Sequence, residues 1–415
     1  MDSDAHFSNA FSLSSRILSR ILVRGVTRLI LLFVLIPGLM AHAQMPIAPE
    51  KLADVSQLFE NLGKHSTLHC FIDRFDPFLD FTFRYEAGFE VSVRPEEFTP
   101  GAKFGAFLRA TPENGKPEFF GEQFDVPAIP AMMAKKLTAP QLRKIQLQMS
   151  LGFAIGDGRY AIDLLLADTQ NRTCHAHWNL KTPKHNSPLT LPPNTVSSIE
   201  ADPWDGKRQS NGVRLTVLLH VAPMNPFAPK LRAWDRGFLL QSLASLLKQL
   251  PCQSVRVIAF NLDQQQELFH EENFDGDGYL RLVTQLHKLE FGTVSLQALQ
   301  RNSWRQWLVR LANQQISMKD PSDVVVFLGP NSRFIDKVPA ESRDDADAPP
   351  HFFYLEYYPW MGADFSDSID SLTRGMHGTV YKIHSADQMG QAIQRMSKQM
   401  KQSQKTTASK FSGTP

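Results

Sequence analysis

The chain has 415 residues, 44 of them Lys or Arg and 42 Asp or Glu, for a formal net charge of +2. That length exceeds what one core ordinarily holds, so two domains with tails are expected. The near balance of charge and the lack of a basic stripe exclude the footprint of a nucleic-acid binder.

Arg16, Arg20, Arg24 and Arg28 precede an apolar run, Leu29–Met40, which ends in Ala41-His42-Ala43. Basic residues, an apolar stretch and a small-residue site, in that order, predict a secretory signal peptide over residues 1–43. The Pro37-Gly38 break favours cleavage, and an uncleaved segment would instead anchor the chain to a membrane. The mature chain is expected to be exported, either periplasmic or secreted. Three cysteines in such a chain allow one disulfide. Cys70 with Cys174 is the expected pair and Cys252 a packed small hydrophobe; the alternative leaves all three unpaired in the core.

Residues 44–180 have a β texture punctuated by Pro and Gly turns, which predicts an all-β, sandwich-like domain. Phe81, Phe83 and Tyr85 alternate as a strand does, as do Phe89, Val91 and Val93, with Ala87-Gly88 between them as a kink or bulge. A helical insert is expected at Thr138–Gln148. Residues 181–211, rich in proline and poor in apolar periodicity, form the expected linker.

Residues 212–400 alternate strand and helix patterns. A buried strand from Val213 is followed by an amphipathic helix carrying Leu231, Trp234, Phe238, Leu239, Leu243, Leu246, Leu247 and Leu250, then by a second buried strand ending at Leu262. An edge strand is expected at Gln266–Glu271 and helices at Tyr279–Leu289 and Ser303–Asn313. Buried strands follow at Asp323–Leu328 and Phe352–Tyr357, then a helix at Ser366–Arg374, a strand at Thr379–Ile383 and a last helix from Ser385, which makes a capping box with Gln388. The order predicts a doubly wound, mainly parallel α/β sheet with its ligand face beyond the carboxyl ends of the strands. The polar tail, 401–415, is expected to be disordered.

Two patterns imitate metal sites. Asn273-x-Asp275-x-Asp277-Gly278 begins like a calcium loop, but Thr284 stands where a bidentate Glu is needed, so a turn capping the next helix is the better account. His175 and His177 share one face of a strand, with His65 and His69 upstream, as a zinc-dependent hydrolase could use. Simple alternation, with Cys174, Ala176 and Trp178 inward, explains them as well. No nucleophile elbow or phosphate loop is present, so an enzyme is disfavoured and no cofactor or metal is expected.

Three local matches in residues 212–400 resemble a von Willebrand factor A-type domain of secreted bacterial proteins: Gly292-Thr293-Val294-Ser295-Leu296 with Ala298-Leu299, the stretch Leu372–Tyr381, and the helix Ser385–Ile393. The resemblance implies a divalent-cation adhesion site with an Asp-x-Ser-x-Ser loop after the first strand, a Thr in the second loop and an Asp after the fourth strand. Here His220, Ala222 and Met224 stand at the first-loop positions, Gly329-Pro330-Asn331 offers no carboxylate, and only Thr293 matches. A lone hydroxyl does not hold a hard cation. The expectation is therefore a degenerate metal site whose strand-end face, His220, Asn225, Thr293 and Asn331 with Tyr358 and Trp360 exposed beside them, binds a protein partner in the envelope or outside the cell. Loop chemistry and helix capping explain the polar residues equally well. The alternative function is a structural scaffold of an envelope assembly, in which the sandwich makes the main contact.

Overall fold

The fold is a computed structural model that describes residues 45–47, 51–61, 66–97, 102–126, 147–170, 172–185, 189–199, 204–224, 231, 233–287, 289, 303–338, 350–358 and 366–411. It is a mixed α/β structure with two largely antiparallel sheets and one mixed sheet. The expected signal segment, most of the expected helical insert at Thr138–Gln148, and Asn225, Thr293 and Trp360 lie outside the described residues; Leu147 and Gln148 of that insert begin a strand.

The first sheet holds β1 (Met45–Pro46), β6 (Glu118–Asp125), β5 (Lys103–Pro112), β8 (Arg159–Asp168), β9 (Arg172–Lys181) and β2 (Ser66–Thr67), in that spatial order. The second holds β10 (Val196–Ser198), β7 (Leu147–Ile155), β4 (Tyr85–Val93) and β3 (Cys70–Leu79). Alternate residues of both sheets, such as Phe89 and Val91 on β4 and Ile162 and Leu164 on β8, face one another in a shared core. Cys70 and Cys174 are disulfide-bonded with Cα atoms 6.1 Å apart, tying β3 of one sheet to β9 of the other. A helix, α1 (Leu52–Glu60), lies on the first sheet through Val55 and Phe59 against Leu165.

Two expectations for this region fail. β4 runs straight through Gly88, which pairs with Gly152; a Cβ there would lie 2.6 Å from the Leu151 carbonyl, so the glycine serves close strand approach, and the register shift falls on β3 between Phe75 and Phe78. Phe81 and Phe83 are not strand residues but the turn between β3 and β4. Asp80, fully buried, fixes that turn: its carboxylate accepts from the Thr82 and Arg84 amides at 2.8 and 3.0 Å and from Arg84 Nε at 3.0 Å. Phe83 closes the loop with φ +60, as the left-handed residue of a short hairpin loop does. The stretch 181–211 also does more than connect, since β10 completes the second sheet against β7.

The mixed sheet has the order β13 (Gln266–Glu271), β12 (Cys252–Asn261), β11 (Val213–His220), β14 (Val324–Pro330), β15 (His351–Tyr357), β16 (Thr379–Ile383), with all neighbours parallel except the antiparallel edge strand β13. Helices α2 (Ala233–Gln249), α3 (Gly276–His287) and α6 (Ala386–Phe411) cover one face, sharing a core with Leu215, Val217 and Leu219. Helices α4 (Ser303–Ile316) and α5 (Ser368–Gly375) cover the other, packed on Leu218, Val325 and Phe327. Burial on both faces explains why these strands read as unbroken apolar runs. α6 continues to Phe411, where a disordered tail was expected; Lys and Gln are adequate helix formers, and polarity alone does not end a helix. No helix among the described residues is long and apolar enough to cross a membrane.

The β3–β4 turn joins the two halves. Phe81, 1% exposed, lies in the core of the mixed-sheet half, 5.3 Å from the Phe238 ring on α2 and 5.4 Å from Tyr357 at the end of β15. Phe78 stacks on Phe238 at 5.8 Å, and Gln241 of α2 donates to the Glu86 carboxyl.

Candidate functional site

In this sheet, chain order reverses direction between β11 and β14, and a crevice opens where the loops from the two strand ends part. It is lined by His220, Ala222, Pro223, Asp263, Asn331, Ser332 and Arg333, with room for little more than a small terminal group. Gly329 permits the geometry: a Cβ there would meet the His220 carbonyl at 2.6 Å, so only glycine lets β14 pass the end of β11.

His220 is 2% exposed and stacks on Phe260 with ring centres 5.2 Å apart. Its Nδ1 lies 3.0 Å from the Pro330 carbonyl, which only accepts, so Nδ1 carries the proton. Burial lowers the pKa of the ring, against smaller opposing effects of Pro330 and Asp263. A neutral ring with Nε2 as an acceptor follows.

Asn331 is 1% exposed, and neither its amide oxygen nor its amide nitrogen makes a hydrogen bond of good geometry to the protein. The Tyr358 hydroxyl is close enough to be stabilised as an anion by it, although burial raises the Tyr358 pKa overall. Ser332 is held by its neighbours: its amide donates to Asp367 at 2.5 Å and its hydroxyl accepts from the Phe334 amide at 3.1 Å. Asp367 caps α5 through the Asp370 amide at 2.8 Å, and burial lifts its carboxyl to about 6. At the mouth, Arg333 Nε lies 2.6 Å from Asp263 Oδ1. On the other side the Met224 amide donates to Asp235 at 3.0 Å, which fixes the first loop to α2.

Of the six residues expected on this face, His220 and Asn331 meet in the crevice. Tyr358 is beside Asn331 but 6% exposed, with its amide bonded to the Ile383 carbonyl at 2.7 Å, so it is not the exposed aromatic expected. It continues the β15 direction into the core, as the apolar run before it would suggest. Asp263 and Arg333 had no signal of their own; they are loop residues distant in sequence, brought together only by the β12–β11–β14 order.

The donor set does not suit a hard cation. The one carboxylate lining the crevice, Asp263, is paired with Arg333, and the other liners offer an imidazole, an amide and a hydroxyl. Among the described residues no group of three or more His, Cys, Asp or Glu side chains is arranged to hold a metal ion. In the calcium-like stretch, Asp275 Oδ1 accepts from the Gly278 amide at 2.9 Å and caps α3. His175 and His177 face outward, and His177 Nδ1 sits 2.7 Å from Asp163.

No family model matches the sequence, and no curated protein matches it. Among solved structures, similarity is found to a putative β-galactosidase from Bacteroides fragilis, at 10% identity over 75% of this chain and 44% of that one, with a TM-score of 0.19. A Bacteroides uniformis β-glucuronidase follows at 11% identity, TM-score 0.17, over 74% of this chain and 38% of that one. The chain thus spans less than half the length of these proteins, and superpositions this loose carry no inference about its activity. Nothing in these matches points to a von Willebrand factor A domain.

Proposed function

We propose that this chain is an exported, non-catalytic protein-binding module that engages a partner through the metal-free strand-end crevice of a von Willebrand factor A-like domain. The observation that carries the reading is Asn331: a buried amide without a well-made hydrogen bond, lining a crevice at the reversal point of a parallel sheet. Such a group costs stability unless something satisfies it. Ile335, 68% exposed and two residues beyond Arg333, supplies an apolar contact on the same loop. The family reading is supported by the antiparallel edge strand and the central β11, and export by the disulfide, which persists in oxidising compartments.

A scaffold role through the sandwich is the second reading, favoured by Phe71, 69% exposed on β3. A photo-crosslinking amino acid placed at Ile335 or at Phe71 of the full chain in its native cells separates the two. Protein adducts from position 335 and none from 71 support the crevice; the reverse pattern supports the scaffold and removes the crevice reading.

A further inference from the structure

We infer that the crevice recognises a primary carboxamide, the terminal group of an asparagine or glutamine side chain presented by the partner; this rests on the strand-end reading above. The complement follows from the inventory of hydrogen-bonding groups. Asn331 offers its amide oxygen as an acceptor and an NH2 with two N–H groups, one beside the Tyr358 hydroxyl and the other left for a ligand. His220, with Nδ1 committed to Pro330, offers Nε2 as an acceptor. A carboxamide has a carbonyl to receive the Asn331 NH2, one N–H for the Asn331 oxygen, and a second N–H for His220. It therefore satisfies all three groups at once and brings no charge into a site whose two central side chains are each buried.

Other chemistries fit less well. A carboxylate has no donor for Nε2 or for the Asn331 oxygen, and it would enter beside the Asp263 carboxylate. An ammonium has no acceptor for the Asn331 NH2, and its desolvation is not offset by a free anion, because Asp263 is paired with Arg333. The crevice is too small in volume for a sugar ring or an aromatic group. A site of buried polar groups rejects analogues lacking a matching group far more strongly than an apolar pocket rejects a missing methylene, so the preference should be sharp.

The test is an NMR titration of the mature chain with propionamide, propionate and 2-butanone, read at the Asn331 side-chain NH2 and the His220 ring. Saturable shifts with propionamide alone are the expected result, weakened about tenfold in Asn331→Asp, which keeps the size but loses the donor. The wild-type comparison stands whether or not that variant folds. Equal response to propionate or 2-butanone, or no saturable shift at the solubility limit of propionamide, overturns the carboxamide assignment. If the position-335 crosslink forms while propionamide fails, only this assignment falls; if that crosslink is absent while propionamide binds, the partner reading falls and the crevice remains a carboxamide site.

Discussion

Single residues set the crevice and the junction between halves. Gly329→Ala should lower stability by about 2–4 kcal/mol in urea unfolding, because the new Cβ meets backbone and not a movable side chain. A cost below about 0.5 kcal/mol would mean the two strand ends are free to separate. His220 and Asn331 were legible in the sequence because both follow a buried apolar run, and residues there in a parallel sheet face the ligand side. Asp263 and Arg333 were not, since their pairing depends on which strands are neighbours. Tyr358 misled for a related reason: an aromatic after a strand carries no mark of whether the chain continues inward or out.

Among elements, the β3–β4 turn is the least legible and the most consequential. Its Phe81 and Phe83 alternate as strand residues do, and the buried Asp80–Arg84 pair that makes them a turn is an i,i+4 contact common on any surface. Strands and helices of the second half were readable because β11 is an unbroken apolar run and α2 repeats its apolar residues every three or four positions. Phe81→Ala should cost about 3–5 kcal/mol, the range for emptying a buried aromatic site, and should split one calorimetric transition into two. A single transition at unchanged temperature would show that the turn does not couple the halves. The disulfide acts within the sandwich: its sequence separation of 104 puts the loss on reduction at roughly 3–5 kcal/mol, read as a drop in the melting temperature of that half.

At the scale of the whole molecule, the junction contains two acids that burial lifts to about 8: Glu86, with Asp80 adding to the rise and Arg84 and Gln241 opposing it, and Glu122, opposed by Arg236 on α2. Both are protonated in the fold at neutral pH and ionised in the unfolded chain. Their stability contribution is complete below the ordinary carboxyl pKa and is lost as pH rises to about 8. Asp367, lifted to about 6, acts in the same direction at lower pH. His220, whose pKa burial lowers, works the other way below its ordinary value of 6.5. The melting temperature should therefore fall most clearly between about pH 6.5 and pH 8 and flatten above about 8, and Glu86→Gln with Glu122→Gln should remove most of that slope. A melting temperature that rises over this interval would show that the two carboxyls are ionised in the fold.

The coupling has a functional consequence. Phe81 packs against Tyr357, one residue before Tyr358, which borders Asn331, so the sandwich buttresses the same end of the sheet that carries the crevice. A partner bound there would meet both halves as one body. The most direct measurement is the yield of protein adduct from a crosslinker at position 335, compared in Mg²⁺ and in EDTA. Equal yields in both are predicted, because no paired set of carboxylates in the crevice is available to bridge a cation to the partner. Loss of the adduct in EDTA would contradict a metal-free face.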